Sequence, residues 1–330
     1  MVLSRLSETS ESALWLYLHD TGIGKRIPGP DLADIADSVE SLQGLRESLD
    51  HISMLLRDEA LGKSALLVRR TLLDMSDEDL AKYEKEIIRL RKLGIEVLCL
   101  SQEAYPDKLR LIRNPPLVIF RKGVFTKFNQ RHFVAIVGTR QSSHRGHSFA
   151  RQLASDLATR KYVVVSGLAR GIDTEAHCGA LDTKGVTVAV LPTSVENVYP
   201  EENKELSNDI ARSGALLSET SAFQEHKQLF ARTRFVDRNR ITSGISDVVV
   251  IVELGATKGS YRQFEFAMEQ GKRVFVPRPD NNNRPAYKGF VDLLSKGAVE
   301  LRSSEDIVEY VEKTKDSRQE RYRRLDSFRL

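Results

Sequence analysis

The amino-acid sequence predicts an α/β protein in which a small helical domain precedes a mostly parallel sheet with helices on both faces. Short β-branched runs alternate with longer amphipathic stretches in the later part of the 330-residue chain, as in parallel strands that are buried on both faces. Earlier apolar residues recur at three- and four-residue steps, as at Leu14 and Leu18, which is the helical period. We therefore predict a helical domain at 1–93, a Rossmann-like domain at 94–302 and a charged helix or tail at 303–330.

The bulk composition is typical of a folded protein. Hydrophobic residues make up 41% and charged residues 29% of the chain, which excludes the compositions of disordered proteins. The longest apolar runs, such as Val248–Val252, are too short to cross a bilayer, and Met1–Arg5 does not open a signal peptide. Cys99 and Cys178 form neither a disulfide framework nor a zinc-ligand spacing. We therefore expect a cytoplasmic protein without membrane contact.

The charge balance is mildly basic. The net charge is +4 at pH 7, and the isoelectric point is about 8.9. This balance permits a nucleic-acid partner without requiring one, because binding depends on where the cations cluster rather than on their sum.

The predicted helical domain contains two turn signals, at Gly22–Gly24 and Pro28–Pro30. A Gly-Ile-Gly turn between two helices can present backbone N–H groups to a DNA phosphate. A plain turn inside a small packing domain is the favoured interpretation. Two strands are predicted next, at Ile95–Leu100 and Pro115–Phe120.

From residue 134 onward, short apolar runs predict the strands of the sheet. These strands are Val134–Val137, Val163–Ser166, Val186–Leu191, Leu216–Ser218, Val248–Val252 and Val274–Pro277. After residue 303 we expect a last helix and a tail of mixed charge. Mixed charge of this kind is typical of a solvated helix face rather than of a DNA contact.

Small and basic residues follow the first two of these strands. In an open parallel sheet, ligands bind beyond the carboxyl ends of the strands. Small residues let the backbone approach a ligand, N–H groups at a helix start favour anions, and the planar charge of arginine suits phosphate. The candidate phosphate-binding residues in these two loops are Gly138, Thr139, Arg140, Ser142, Ser166, Gly167, Ala169 and Arg170.

A third cluster follows the fourth strand. It contains Arg232, Arg234, Phe235, Arg238, Asn239 and Arg240. Four arginines around one aromatic ring suit a groove for single-stranded nucleic acid, where cations follow the phosphates and the ring stacks on a base. The alternative is structural: Phe235 belongs to the core, and Arg238 or Arg240 pairs with a buried carboxylate. We favour the binding interpretation for the cluster as a whole.

Several common sites are not indicated. Neither loop fits the Gly-x-Gly-x-x-Gly dinucleotide pattern, and the chain has no Gly-x-x-x-x-Gly-Lys-Ser/Thr loop for a nucleoside triphosphate. The histidines do not pair at i, i+4, and His144 and His147 stand alone. We therefore predict neither a cofactor nor a metal ion.

The segment from Val134 to Arg240 resembles the DNA-processing protein A (DprA/Smf) family throughout. The matching motifs are Ala135–Arg140, Val165–Asp173, Ala176-His177, Gly179–Leu181, Ala189–Leu191, Tyr199-Pro200, Asn203, Ser218-Glu219 and Arg238–Ile241. The likeness extends over roughly residues 85 to 300. It implies a protein that binds single-stranded DNA, forms a dimer and passes the strand to a RecA-type recombinase during natural transformation.

The resemblance also implies roles for individual residues. Arg140 would grip a phosphate, Gly167, Ala169 and Arg170 would line the second loop, and Phe235 would contact a base beside Arg238 and Asn239. His177 and Asp173 would brace the loop without touching DNA. Two positions of a later Gly-rich turn, Gly259 and Ser260, complete the candidate phosphate-binding residues.

Three departures from the family pattern separate this chain from its typical members. Val236-Asp237 follows Phe235 where the family has proline. The last motif reads Lys258–Gln263 instead of Ser-Gly-Ser-Leu-x-Thr, with Pro277–Pro279 after the next strand in place of a Pro-Gly turn. The chain is also too short for a winged helix after Ala298. A role in repair, phage defence or a mobile element is therefore an alternative to transformation.

Two other functions remain open. The wider superfamily resembles phosphoribohydrolases, whose catalytic glutamate lies three residues after a Gly-rich turn. Here that position is Gln263, and Glu265 would point about 200° away on the same helix, which favours a nucleotide sensor using Ser260 and Gln263 over a hydrolase. The third possibility is a pure interaction protein that acts through its helical domain. We predict a non-enzymatic DNA-binding protein.

Overall fold

The computed structural model describes residues 8–38, 42–47, 55–221, 232–254, 259–279 and 284–314. The chain divides into two compact units, Met1–Arg121 and a second that begins at Lys122. The first unit therefore ends 28 residues later than residue 93, where the sequence predicts the end of the helical domain. The difference arises because two strands that begin after residue 93 start within the first unit.

The first unit is mainly helical. Its helices are α1 (Glu8–Thr21), α2 (Gly29–Ser38), α3 (Leu42–Glu47), α4 (Glu59–Leu73), α5 (Asp77–Lys92) and α6 (Asp107–Arg110), with strands β1 (Ile95–Cys99) and β2 (Val118–Gly123) beginning in the same unit. Its core contains fully buried leucines on α1, α3 and α4, including Leu14, Leu45 and Leu72. Side-chain caps fix two helix starts, because Asp58 accepts from two N–H groups of α4 and Ser76 forms a capping box with Asp79 on α5.

The second unit contains a parallel sheet. Its strands are β3 (Phe133–Val137), β4 (Val163–Ser166), β5 (Thr187–Val190), β6 (Ala215–Ser218), β7 (Val248–Ile251), β8 (Arg273–Pro277) and β9 (Val299–Leu301). Within this unit their order is β6-β5-β4-β3-β7-β8-β9, and each pairing is parallel. Strand β3 is central, with Val134 opposite Val164 of β4 on one side and Val248 of β7 on the other. The strand order therefore reverses beside β3.

Helices connect the strands of this sheet. They are α7 (His144–Thr159), α8 (Ile172–Asp182), α9 (Lys204–Ser213), α10 (Arg232–Ile245), α11 (Gly259–Glu269), α12 (Arg284–Ser295) and α13 at 304–314. One core cluster joins α7 and α8 to β3, β4 and β7, and it contains Val134, Leu153 and Val250. Ile307 and Val311 of α13 belong to the same cluster, so this charged helix packs on the sheet through its apolar face.

The predicted α/β class and the mostly parallel sheet are confirmed. Each strand predicted from residue 134 onward is present within one or two residues of its expected ends. Strand β9 was not predicted, because only three residues pair at that edge. The predicted tail from residue 315 lies outside the described residues. Among the described helices, none has the length and apolarity that a membrane crossing requires.

Candidate nucleic-acid interface

The loop after β3 is fastened to the segment that follows the neighbouring strand β7. The Thr139 backbone N–H donates to the Glu253 carbonyl at 3.0 Å. The Glu253 carboxylate, which is only 8% exposed, accepts from the Ser143 N–H at 2.9 Å and from its hydroxyl at 2.5 Å. Ser143 in turn caps α7 by accepting from the Gly146 N–H. These contacts fix the loop at Thr139 and at Ser143, and Arg140 lies exposed between them.

The loop after β4 is organised around a buried carboxylate. Asp173, at the start of α8, accepts from the N–H groups of Gly167 at 3.1 Å and Ala169 at 3.4 Å. Leu168 takes a left-handed conformation with φ of 58°, and Gly171 follows with φ of 76°. A Cβ at Gly171 would lie 2.6 Å from the Thr139 carbonyl oxygen, so only glycine lets the two loops approach this closely.

Helix α10 supplies the third side of the site. Its Phe235 ring lies 5.5 Å from the Arg140 guanidinium carbon, within the range of a cation–π contact. The same ring meets Tyr199 edge to face, with centroids 5.6 Å apart and planes at 82°. Arg140, Phe235 and Tyr199 thus form one amphipathic face made of a cation and two rings.

These three parts enclose a pocket of about 280 Å³. It is lined by Thr139, Arg140, Gln141, Gly167, Ala169, Arg170, Pro192, Tyr199, Pro200, Phe235 and Arg238. Its lining combines aromatic and proline rings with guanidinium groups, which is the composition expected where a base and a phosphate bind side by side.

Arg238 forms the floor of the pocket and is only 8% exposed. Its Nη1 donates to the Val190 carbonyl at the end of β5 at 2.9 Å. A Cβ at Gly167 would overlap the Arg238 guanidinium, so the absence of a side chain at Gly167 creates the space for this group. Burial lowers the pKa of Arg238, and the attraction of Asp173 offsets part of that effect.

Two further titratable groups lie beneath the loops. Burial raises the pKa of Asp173, against the stabilising effects of Arg238 and the two loop N–H groups. Burial also lowers the pKa of His177 to about 3, assisted by Arg238. The Thr187 hydroxyl donates to the Val164 carbonyl, so His177 Nδ1 donates to Thr187 at 2.7 Å, and its Nε2 has no hydrogen-bond partner among the described residues. Asp173 therefore supports the loop and His177 the sheet, and neither side chain lines the pocket.

About half of the predicted site residues meet in this pocket. Those that line it are Thr139, Arg140, Gly167, Ala169, Arg170, Phe235 and Arg238. Gly138 packs against Ile172, since a Cβ there would lie 2.6 Å from Ile172 Cγ1. Ser142 keeps a buried hydroxyl without a hydrogen-bond partner among the described residues. Ser166 is fully buried and donates to the Ile136 carbonyl at 2.7 Å, so its hydroxyl is occupied within the sheet.

The remaining predicted residues lie on α10 and α11, outside the pocket lining. Asn239 donates to the Gly259 carbonyl at 3.2 Å, which links the two helix segments. Arg240 pairs with Glu219, which is the structural alternative considered from the sequence. Ser260 follows Gly259 in the first turn of α11. The Arg232 side chain lies outside the described residues.

Sequence reasoning missed four lining residues, namely Gln141, Pro192, Tyr199 and Pro200. Tyr199 and Pro200 follow β5 at a distance of nine or ten residues. They form one of the motifs that resemble the DprA/Smf family, but the sequence does not show that this motif lies beside the loops after β3 and β4. The rule that ligands bind at the carboxyl ends of the strands could have found Pro192, two residues after β5.

Gln263, at the position of the hydrolase glutamate, has a packing role in this protein. Gln263 is 2% exposed, and its Nε2 donates to the Asn239 carbonyl at 3.1 Å. Glu265 pairs instead with Arg262 on the outer side of α11. Neither side chain lines the pocket. Among the described residues, no three potential metal ligands lie together.

Comparison with protein families gives an extended match. The model of the family described as DNA recombination-mediator protein A matches residues 96–312. The DNA processing protein DprA of Bacillus subtilis is 33% identical over 228 residues, which cover 69% of this chain and 75% of that protein. The DNA processing protein DprA of Streptococcus pneumoniae is 34% identical over 208 residues, covering 62% and 71% of the two chains.

Two solved structures share the fold. The X-ray structure of DNA processing protein A from Streptococcus pneumoniae has a TM-score of 0.62 at 27% identity and covers 86% of this chain and 98% of that one. DNA processing protein A from Helicobacter pylori, whose structure is described for its single-stranded DNA binding mode, has a TM-score of 0.57 at 28% identity. That match covers 66% and 96% of the two chains.

Proposed function

This chain belongs to the DNA recombination-mediator protein A family, and from that premise we propose that its pocket binds single-stranded DNA. The observation that carries the proposal is the contact between Arg140 and Phe235 at the pocket. Single-strand sites combine a cation for the backbone with a ring for a base, and here one contact joins the two. A single strand can present an unpaired base to such a site, whereas a duplex keeps its bases stacked inside.

The pocket residues divide into three proposed roles. Arg140 and Arg170 are exposed and contact phosphates. Phe235 and Tyr199, which contact each other edge to face, together provide the apolar surface on which a base stacks. Gly167 and Ala169 allow the strand to approach the backbone, and Arg238 maintains the floor with its positive charge.

We also propose that this protein passes its strand to a RecA-type recombinase and acts as a homodimer in the cytoplasm during DNA uptake, recombination or DNA defence. Membership in a family described as recombination mediators supports this role. We propose further that it acts without covalent chemistry. The packing role of Gln263, at the position of the hydrolase glutamate, supports this view.

Fluorescence anisotropy tests the binding proposal. A labelled single-stranded oligonucleotide and the duplex of the same sequence are titrated with the full chain across a series of salt concentrations. We expect tight binding of the single strand, weak binding of the duplex and a steep loss of affinity with salt, because phosphate contacts release counterions. Equal binding of both forms, or none at low salt, contradicts the proposal. A thermal-shift screen of free nucleotides then tests the sensor alternative.

A further inference from the structure

The two exposed arginines of the pocket have different partners. Arg140 stacks on Phe235, and no carboxylate pairs with it in the part of the chain that the structure describes. Arg170 instead forms a two-point ion pair with Glu202, in which Nε donates to Oε1 at 2.5 Å and Nη2 donates to Oε2. This pair raises the pKa of Arg170. One arginine is therefore open to a phosphate, while the other already holds an anion.

Glu202 is held in this position by the wall of the pocket. The next residue, Asn203, is 7% exposed and donates through Nδ2 to the Leu168 carbonyl at 2.9 Å and to the Thr174 hydroxyl at 3.0 Å. Both acceptors belong to the same loop and helix start as Arg170. The chain before Glu202 is also held, because Pro200 is buried and its carbonyl accepts from the Asn203 N–H at 3.0 Å. The carboxylate is thus positioned against Arg170 by buried contacts of its neighbours.

We propose that Glu202 competes with DNA phosphate for Arg170 and thereby lowers the affinity of the site for single strands. This inference rests on the proposed function of the pocket. A carboxylate bound at two points occupies the guanidinium edge that would bind two phosphate oxygens. The side chains are 63% exposed for Arg170 and 48% exposed for Glu202. Exposed ion pairs of this kind are weak, so carboxylate and phosphate compete for the guanidinium, and Arg170 contacts a phosphate in only part of the bound molecules.

If Glu202 competes for Arg170, the gain in DNA affinity on removing the Glu202 charge depends on Arg170. Simple charge repulsion predicts no such dependence. If Glu202 acts only through its charge, removing that charge strengthens DNA binding whether or not Arg170 is present. If Glu202 acts by occupying Arg170, the gain requires Arg170 and adds a phosphate contact. Each added contact steepens the salt dependence of binding to a single strand by roughly 0.7 in the logarithmic slope.

The experiment compares Glu202→Gln with Glu201→Gln in the anisotropy assay. The two substitutions remove the same charge one residue apart, but Glu201 is 86% exposed and pairs with Lys204 at 3.6 Å rather than with Arg170. We expect Glu202→Gln to bind the single strand about fivefold more tightly, in line with the strength of an exposed ion pair, and with a steeper salt slope. Glu201→Gln should change affinity much less.

The decisive measurement repeats Glu202→Gln in an Arg170→Ala background, where we expect no gain in affinity. A gain that persists without Arg170, or an equal effect of Glu201→Gln, overturns the inference and leaves the proposed function intact. A wild-type chain that binds no single strand overturns both. Circular dichroism of each variant verifies the fold, and unchanged affinity in a folded Glu202→Gln protein also overturns the inference.

Discussion

The arginines at and beside the pocket come from two kinds of element, and comparing them separates the proposed binding residues from the supporting ones. Arg140 and Arg170 follow β3 and β4 in loops and are exposed. Arg238 and Arg240 lie on helix α10, where the first is buried against the Val190 carbonyl and the second pairs with Glu219. Arginines from motifs of one family thus divide into two exposed residues that we propose as phosphate contacts and two residues that make tertiary contacts within the fold.

The two loops that carry Arg140 and Arg170 are held in place by residues other than these arginines. Glu253 fastens the first loop and Asp173 the second, so neither guanidinium is needed to hold its own segment in place. In α10 the guanidinium groups themselves make the tertiary contacts. We therefore expect substitutions on α10 to change stability first and substitutions in the loops to change affinity first.

The largest expected effect is that of Arg238→Ala. Truncation removes the hydrogen bond to Val190 and leaves buried Asp173 without its cationic neighbour, so we expect the free energy of unfolding to fall by about 3 kcal/mol. Urea denaturation measures the loss. Arg240→Ala is the matched control on the same helix. Its half-buried pair with Glu219 predicts a loss of only about 1 kcal/mol, and equal losses would refute the distinction.

The buried groups beneath the loops also predict a pH dependence of the protein's stability, through His177. Its pKa is about 3 when folded, against an ordinary value of 6.5, so the folded state resists protonation. The contribution of neutral His177 is therefore fully present above pH 6.5 and is lost as the pH falls toward 3. Between pH 6.5 and 4.5 we expect stability to drop by about 2 kcal/mol from this residue.

His177→Gln isolates that effect, because the raised pKa of Asp173 acts in the opposite direction and is present in both proteins. Denaturant midpoints measured across this pH range should fall more steeply for the wild type than for the variant. Parallel curves would mean that His177 does not carry the dependence.

The smallest of the three effects concerns a loop arginine. Arg140→Ala should weaken single-strand binding about tenfold, which corresponds to about 1.4 kcal/mol, across all sequences alike because the contact is to phosphate. Stability should remain unchanged. Arg212→Ala is a matched control. Arg212 is also a surface arginine, but it precedes β6 and so lies at the amino ends of the strands, away from the pocket. Similar losses in both variants would point to net charge instead of the site.

The fold could be predicted because its signals are local. Each buried strand from β3 to β8 is predicted by its own run of apolar residues. The loops after β3 and β4 are indicated by small residues beside arginine. The split among the arginines could not be predicted, because it depends on residues far along the chain. Glu219 decides the role of Arg240, and Glu202 that of Arg170. Tyr199 was missed for the same reason, since it meets Phe235 only through the tertiary fold.

The order of the strands has a consequence for how this protein can change over evolutionary time. The place of the pocket follows from the carboxyl ends of β3, β4 and β5, near the reversal beside β3, and the buried side chains of those strands maintain it. Loop residues such as Arg140 and Gln141 can therefore be exchanged without dismantling the cavity. Descendants of this chain can acquire new ligands through a few surface substitutions, while the sheet that positions them is inherited unchanged.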